Sequence, residues 1–394
     1  MIRSFAAAAA ALALCALPIT AAAVADPGNG TRGAFTLAVL GDEPYGTVQG
    51  DHAQFDATPG FIDSINADPD VSTVIHLGDI HSGKQWCTQP YDQSIYDLWT
   101  RFADPLVYTP GDNEWTDCHK AAEGGGRYNA TTGQIDYVLD PATSQPADYA
   151  GGNPVANLAL VRSMFFPQPG HTLGSDTLSV LSQAQVADPA HPSDAQYVEN
   201  VRWEYRGIVF VTINVPGASN NDADPWYGAP AASADQQNEA AQRTAADLRW
   251  LDRAFGFAQA TNAAGVVVVT QADLWDLDGQ TPAHLTNYEP IVSSLATHTT
   301  AIGKPVLLLT GDSHVYRSDN PLMQAAPCTG DNGVCGYDAW NSHPYYAVAN
   351  FHRVVVHGST FPLEWLKLTA APGAHNPTTA TSFGPFSWSR MPQG

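Results

Sequence analysis

Four short apolar, β-branched runs in this sequence each end in Gly-Asp: FTLAVL-GD at Asp42, VSTVIHL-GD at Asp79, PLVYTP-GD at Asp112 and KPVLLLT-GD at Asp312. A fifth run, GVVVVT, leads into Gln271-Ala272-Asp273, and a sixth, GIVFVTINV, into Pro216-Gly217. Runs this short and this apolar read as strands buried on both faces. One Gly-Asp is an ordinary strand-ending turn. Four of them carry more information, because α/β proteins gather the carboxyl ends of their strands along one rim of the sheet. So many negative charges in a small volume are costly unless cations neutralise them, and the pattern therefore points to a metal site.

Other elements must hold that rim in place. Ala241, Leu248, Leu251 and Phe255 recur at helical spacing between Asp235 and Ala260, and the alternation of strand and helix predicts an α/β layered core. Residues from about 120 to 200 are rich in Gly, Asn, Gln, Pro and Ala, with one helical stretch near Leu158 to Phe166. They read as a loop-rich insertion over or beside the site. Strand-like patterning returns at FHRVVVHG and FPLEWLKLTA, and the Pro/Thr/Ser-rich segment 372–394 reads as a loosely ordered tail.

At the other end, Arg3, the apolar run from Phe5 to Leu17 and Ala23-Val24-Ala25 before Asp26 read as a signal peptide over 1–25. A buried alanine-rich helix is the alternative. Leu14 before Cys15 is not the small residue a lipoprotein cleavage site needs, and no later apolar run reaches the ~18 residues of a membrane span. The expected product is soluble and secreted, either extracellular or periplasmic. The full sequence sets 17 basic residues against 39 acidic ones, a formal charge of −22, so neither a nucleic-acid-binding surface nor a membrane partner is expected. An anionic substrate would need local cations to overcome that field, and bound divalent metals are the natural source. Past the signal peptide remain Cys87, Cys118, Cys328 and Cys335. An even number in an exported chain suggests disulfides, Cys328 with Cys335 closing the loop CTGDNGVC and Cys87 with Cys118 left as the second pair. A zinc cluster is the competing reading, but there is no C-x-x-C and the spacings are irregular.

The ordered series Gly41-Asp42, Gly78-Asp79, Gly111-Asp112-Asn113-Glu114 and Gly311-Asp312-Ser313-His314 resembles the calcineurin-like metallophosphoesterases, which include the purple acid phosphatases. The resemblance implies a domain over 26–371 with an α/β/β/α fold, a four-layer sandwich of two mixed β-sheets flanked by helices. It also implies two metals, with Asp42 and Asp79 as ligands, Asp79 as the bridge and His314 matching the second His of the last motif. The remaining positions depart from the family. Pro44 stands for the first-motif His, Asp112 for an Asn ligand, Asn113 for the catalytic His, Gln271 for a His ligand and Asp312 for the first His of the last motif. Exchanging imidazoles for oxygens shifts preference from zinc or iron toward Mg²⁺, Mn²⁺ or Ca²⁺, while His314 keeps some affinity for iron and zinc.

The reaction so implied is hydrolysis of a phosphate mono- or diester, small-molecule or extracellular, by attack of a metal-bridging hydroxide. Asn113 donates no titrating proton, so His81, His119 and Glu114 are the candidate general acids, and a Cys87–Cys118 bridge would tie together the loops carrying the two histidines. Tyr45, Trp86, Trp115, Trp275 and Tyr316 cluster beside the motifs, and Tyr45 and Trp115 are the candidate wall for an organic leaving group. Lys84, Lys120 and Arg317 are the scarce neighbouring cations, with Arg317 the candidate phosphate clamp. The alternative function is a non-catalytic secreted binding module that keeps the fold and a structural cation.

Overall fold

The computed structural model describes residues 33–221, 224–276, 282–331, 333–335, 339–343 and 346–393. The apolar runs form strands, and their hydrogen bonds sort them into two large mixed sheets. In spatial order the seven-stranded sheet is Asn376–Thr379, Ser382–Gly384, Phe386–Pro392, Glu364–Ala370, Phe35–Leu40, Val71–His76 and Leu106–Tyr108. The nine-stranded sheet is Gly333–Val334, Thr329–Gly330, Arg317–Asp319, Phe351–Val355, Val306–Thr310, Gly265–Val269, Ile208–Thr212, Val201–Tyr205 and Leu181–Ser182. The strands that end in the sequence motifs are parallel within each sheet, so their carboxyl ends emerge on one side.

The residue alternation of each strand builds the layers. Leu37 and Val39 point one way, into an apolar core shared with Phe210, Val267, Val269, Leu307 and Leu309 of the second sheet. Ala38 and Leu40 point the other way, against Phe61, Ile62, Ile95, Trp99 and Val161. Those five lie on the helices Ala53–Asn66, Gln89–Trp99 and Pro154–Phe165. On the far side of the second sheet Val266, Val268, Val306 and Leu308 meet Trp250, Leu251, Phe255, Ile291 and Leu295, carried by the helices Ala234–Ala260 and Glu289–Ile302. The order helix, sheet, sheet, helix is the four-layer arrangement that the family resemblance implies. Sheets apolar on both faces must be covered on both, and these are.

One expectation fails. The segment expected as a loose tail over 372–394 carries three strands within 376–392, and Phe386–Pro392 pairs antiparallel with Glu364–Ala370 along its whole length. Phe383, Phe386 and Trp388 are buried in the inter-sheet core. Composition suggested disorder, but three well-spaced aromatics are enough apolar surface to order a short hairpin against an existing edge. Within 120–200 the helix Pro154–Phe165 is present, alongside a small hairpin, Gly126–Asn129 with Gln134–Tyr137. The expected signal peptide, with Arg3 and Asp26, lies outside the described residues. No helix among the described residues is long and apolar enough to cross a membrane. Both cysteine pairs are joined, Cys87 with Cys118 and Cys328 with Cys335.

His352, on the strand Phe351–Val355, gives the fold a pH dependence. It is buried, Nδ1 has no hydrogen-bond partner, and burial together with the neighbouring Arg353 pushes its pKa down to about 3. The native state therefore keeps the ring neutral while the unfolded chain protonates it near ~6.5. Stability from this group is complete above about pH 6.5 and is lost as pH falls from there toward 3. Thermal melts of His352→Gln should accordingly show a smaller drop in Tm between pH 7 and 5 than wild type; an equal drop would remove His352 as a cause.

Candidate functional site

The carboxyl rims of the two sheets meet at a cavity of about 460 Å³. On the first sheet, Phe35–Leu40 delivers Asp42 and Val71–His76 delivers Asp79. On the second, Val306–Thr310 delivers Asp312 and His314, and Gly265–Val269 delivers Gln271. Asp42, Asp79, Asp312 and His314 all have positive φ, between 56° and 74°. Aspartate tolerates this left-handed conformation better than most residues, and such strain collects at functional sites. The backbone also crowds the carboxylates. A Cβ on Gly358 would fall 2.2 Å from Cβ of Asp42, and one on Gly111 only 1.9 Å from Oδ1 of Asp79.

Asp42, Asp79 and His314 each place a ligand atom within 4.8 Å of the others. Asp42 Oδ1 accepts the Asp312 N–H at 2.7 Å, which ties one sheet to the other, but Oδ2 is buried with no hydrogen-bond partner. Asp79 accepts from Tyr45 Oη at 2.6 Å, from Asn113 Nδ2 at 3.0 Å and from the Asn113 N–H at 3.3 Å. Tyr45 Oη lies 3.3 Å from His314 Nε2, so the hydroxyl sits between the two. Burial first, then the charges of Asp112 and Glu114, pushes the carboxyls of Asp42 and Asp79 well above the usual range. Burial, then Asp112 and Asp42, does the same to Asp312. An orphaned buried carboxylate oxygen among acids that resist ionising fits a divalent cation, which would relieve both costs. Two carboxylates and one imidazole suit Mn²⁺, Mg²⁺ or Ca²⁺ while leaving iron and zinc eligible.

Asp112 and Asp312 line the same cavity but stand in a different relation. Gln271 Nε2 donates to Asp112 Oδ1 at 2.8 Å and to Asp312 Oδ1 at 3.2 Å, and its Oε1 accepts the Gly217 N–H at 2.6 Å. Gln271 thus presents nitrogen, where the motif pattern leads one to expect an oxygen ligand.

Several expected roles move. His81 and His119 are buried and absent from the cavity wall; burial lowers both to about 4, and His119 Nδ1 accepts the Tyr227 N–H. Neither stands where a leaving group could reach it, although the Cys87–Cys118 bridge does link their loops. Glu114 is spent on the Gly111 and Asp79 N–H groups and on Tyr108 Oη, clamping the loop ends. Trp115 is core, with the Arg243 guanidinium 5.3 Å above its ring, and Trp275 and Tyr316 are buried too. Arg317 Nη1 pairs with Asp273 Oδ2 at 2.7 Å and is not on the cavity wall. Tyr45 and Asn113 do line the cavity, with Lys84 and Lys120 as its cations. Lys120 is committed to Asp117, whereas Lys84 is exposed. His284 also lines the wall. Its segment TPAHLTNYEP carries no motif that would single it out; only the fold brings it there.

Residues 22–185 match the sequence model of the calcineurin-like phosphoesterases. No curated protein matches the chain. Among solved structures, a purple acid phosphatase from yellow lupin (Lupinus luteus) seeds is similar at 14% identity and a TM-score of 0.38, over 86% of this chain and 49% of the lupin chain. This chain thus spans about half the length of that structure.

Proposed function

We propose, from the match of residues 22–185 to the calcineurin-like phosphoesterases, that this chain is an exported, metal-dependent hydrolase of small phosphate mono- or diesters. The observation that carries the reading is the group Asp42, Asp79 and His314, converging at the cavity with a buried oxygen of Asp42 left unpaired. These three residues would hold the cation. When bound, it would polarise the phosphoryl oxygens and acidify water at neutral pH.

The rest of the work falls to the chain. Burial and the neighbouring carboxylates of Asp79 and Asp42 push the Tyr45 hydroxyl well above its usual range, so it stays a donor and orients Asp79. Asn113 donates to both Tyr45 Oη and Asp79 and holds that pair in register; its amide moves no proton. Lys84 offers a charge to the phosphate in an otherwise acidic wall of Asp117, Asp224 and Asp276. Proton delivery to the leaving group is assigned to His284, since among the described residues the histidines on the wall are it and His314. Both disulfides support export, because such bonds persist in oxidising compartments.

The primary test is hydrolysis of aryl phosphate mono- and diesters by the purified protein with Mn²⁺, Mg²⁺, Ca²⁺ and Zn²⁺. Metal-dependent turnover supports the proposal. An amide at position 113 favours one rival, a cation-holding binding module, and bound metal without turnover on any ester would select it. The His284 role predicts a leaving-group signature. His284→Ala should lose about 10²-fold or more on an alkyl phosphate, which needs protonation, and little on a nitrophenyl ester, which does not. Equal losses on both would remove His284 as the acid.

A further inference from the structure

We infer that the centre binds one divalent cation, and that the side-chain amide of Gln271 fills the position a second would take. This rests on the reading of Asp42, Asp79 and His314 as the ligands of the first. The amide's orientation follows from its partners. Gly217 offers only an N–H to Gln271, at 2.6 Å from Oε1, so the opposite end of the amide must be nitrogen. That nitrogen has two hydrogens, and two carboxylates receive them: Asp112 Oδ1 at 2.8 Å and Asp312 Oδ1 at 3.2 Å. Reversing the amide would set an oxygen against both carboxylates and an NH₂ against the Gly217 N–H, replacing every attractive contact with a repulsive one.

Gln271 is buried, and the backbone closes the space beyond it. A Cβ on Gly217 would lie 2.5 Å from Asp112 Oδ2 and 2.6 Å from Asp312 Oδ1. Asp112 and Asp312 are therefore cross-linked by a neutral donor in the way a cation would cross-link them. Asp42 differs in kind, since its Oδ2 faces no donor at all. The two halves of the rim consequently have different chemistry, one built to receive a cation and the other already satisfied by nitrogen.

The test is manganese stoichiometry by equilibrium dialysis, together with the electron paramagnetic resonance of bound Mn²⁺. Wild type should hold one ion per chain with the six-line signal of an isolated Mn²⁺. Gln271→Glu, nearly isosteric, should hold two ions per chain with a spin-coupled spectrum. Gln271→His serves as a second variant, and circular dichroism checks that each folds. Two ions per wild-type chain would overturn the inference. One ion in wild type and in both folded variants would overturn the role of Gln271. No bound ion in wild type would instead sink the underlying reading of Asp42, Asp79 and His314, and is distinguishable for that reason.

Discussion

Asp42→Asn should abolish metal uptake and lower turnover by about 10³-fold or more, yet melt at a higher temperature than wild type when both are held in chelator. The loss follows from removing an anionic member of the proposed ligand set, whose cation would supply several kcal/mol of charge stabilisation, at about 1.4 kcal/mol per decade of rate. The gain follows from burial. The amide keeps an oxygen for the Asp312 N–H that Asp42 accepts at 2.7 Å, but ends the cost of a carboxyl that burial and the nearby Asp112 and Glu114 make reluctant to ionise. The sign with pH is fixed. A raised native pKa gives stability at low pH that is lost as pH rises through it. The advantage of the Asp42→Asn variant in chelator should therefore be small near pH 4 and widen toward pH 8. A variant that melts below wild type at pH 8 without metal, or that still takes up Mn²⁺, would refute the account.

Arg353→Leu should destabilise the fold by about 3–5 kcal/mol, the range for breaking a buried pair, lowering Tm by roughly 6–20 °C at about 2–4 °C per kcal/mol. Arg353 is fully buried, holds both oxygens of Asp319 at 2.9 and 2.8 Å, contacts Asp273 with Nη1 and lies 5.2 Å above the Trp275 ring. Its loss strands the charge of Asp319 and leaves Asp273 with Arg317. The Asp273 N–H in turn holds Asp312 Oδ2 at 3.1 Å, so the damage should reach the cavity. Adding Asp319→Asn should recover part of the loss. If the single variant melts within about 2 °C of wild type, the pair is not a buried support of this kind.

The strands were legible because each is a short apolar run, and the rim was legible because Gly-Asp recurs at four of their ends. Local pattern carries that much. What it could not carry was the partner of each polar side chain. Arg317 looks like a phosphate clamp in the sequence and is spent on Asp273, which comes from another strand end. His81 and His119 sit beside the motifs in sequence, yet their loops fold inward; His284 sits beside none and its loop comes to the cavity. Gln271 was placed correctly at the rim, but the end of its amide that faces the acids depends on Gly217, which sequence distance hides. The final hairpin was missed because a polar composition outweighed Phe383, Phe386 and Trp388, three residues whose value appears only once a sheet edge exists to receive them.

The close approach of Gly111, Gly217 and Gly358 to the acidic side chains sets a limit on how this centre could be altered. Where the wall is bare main chain there is nothing to shave or enlarge, so directed evolution of ion preference has little to remodel there beyond Tyr45 and Asn113. It would have to proceed by exchanging the proposed ligands themselves, and at left-handed positions such as 42, 79 and 314 the accessible alphabet is little more than Asp, Asn, His and Gly.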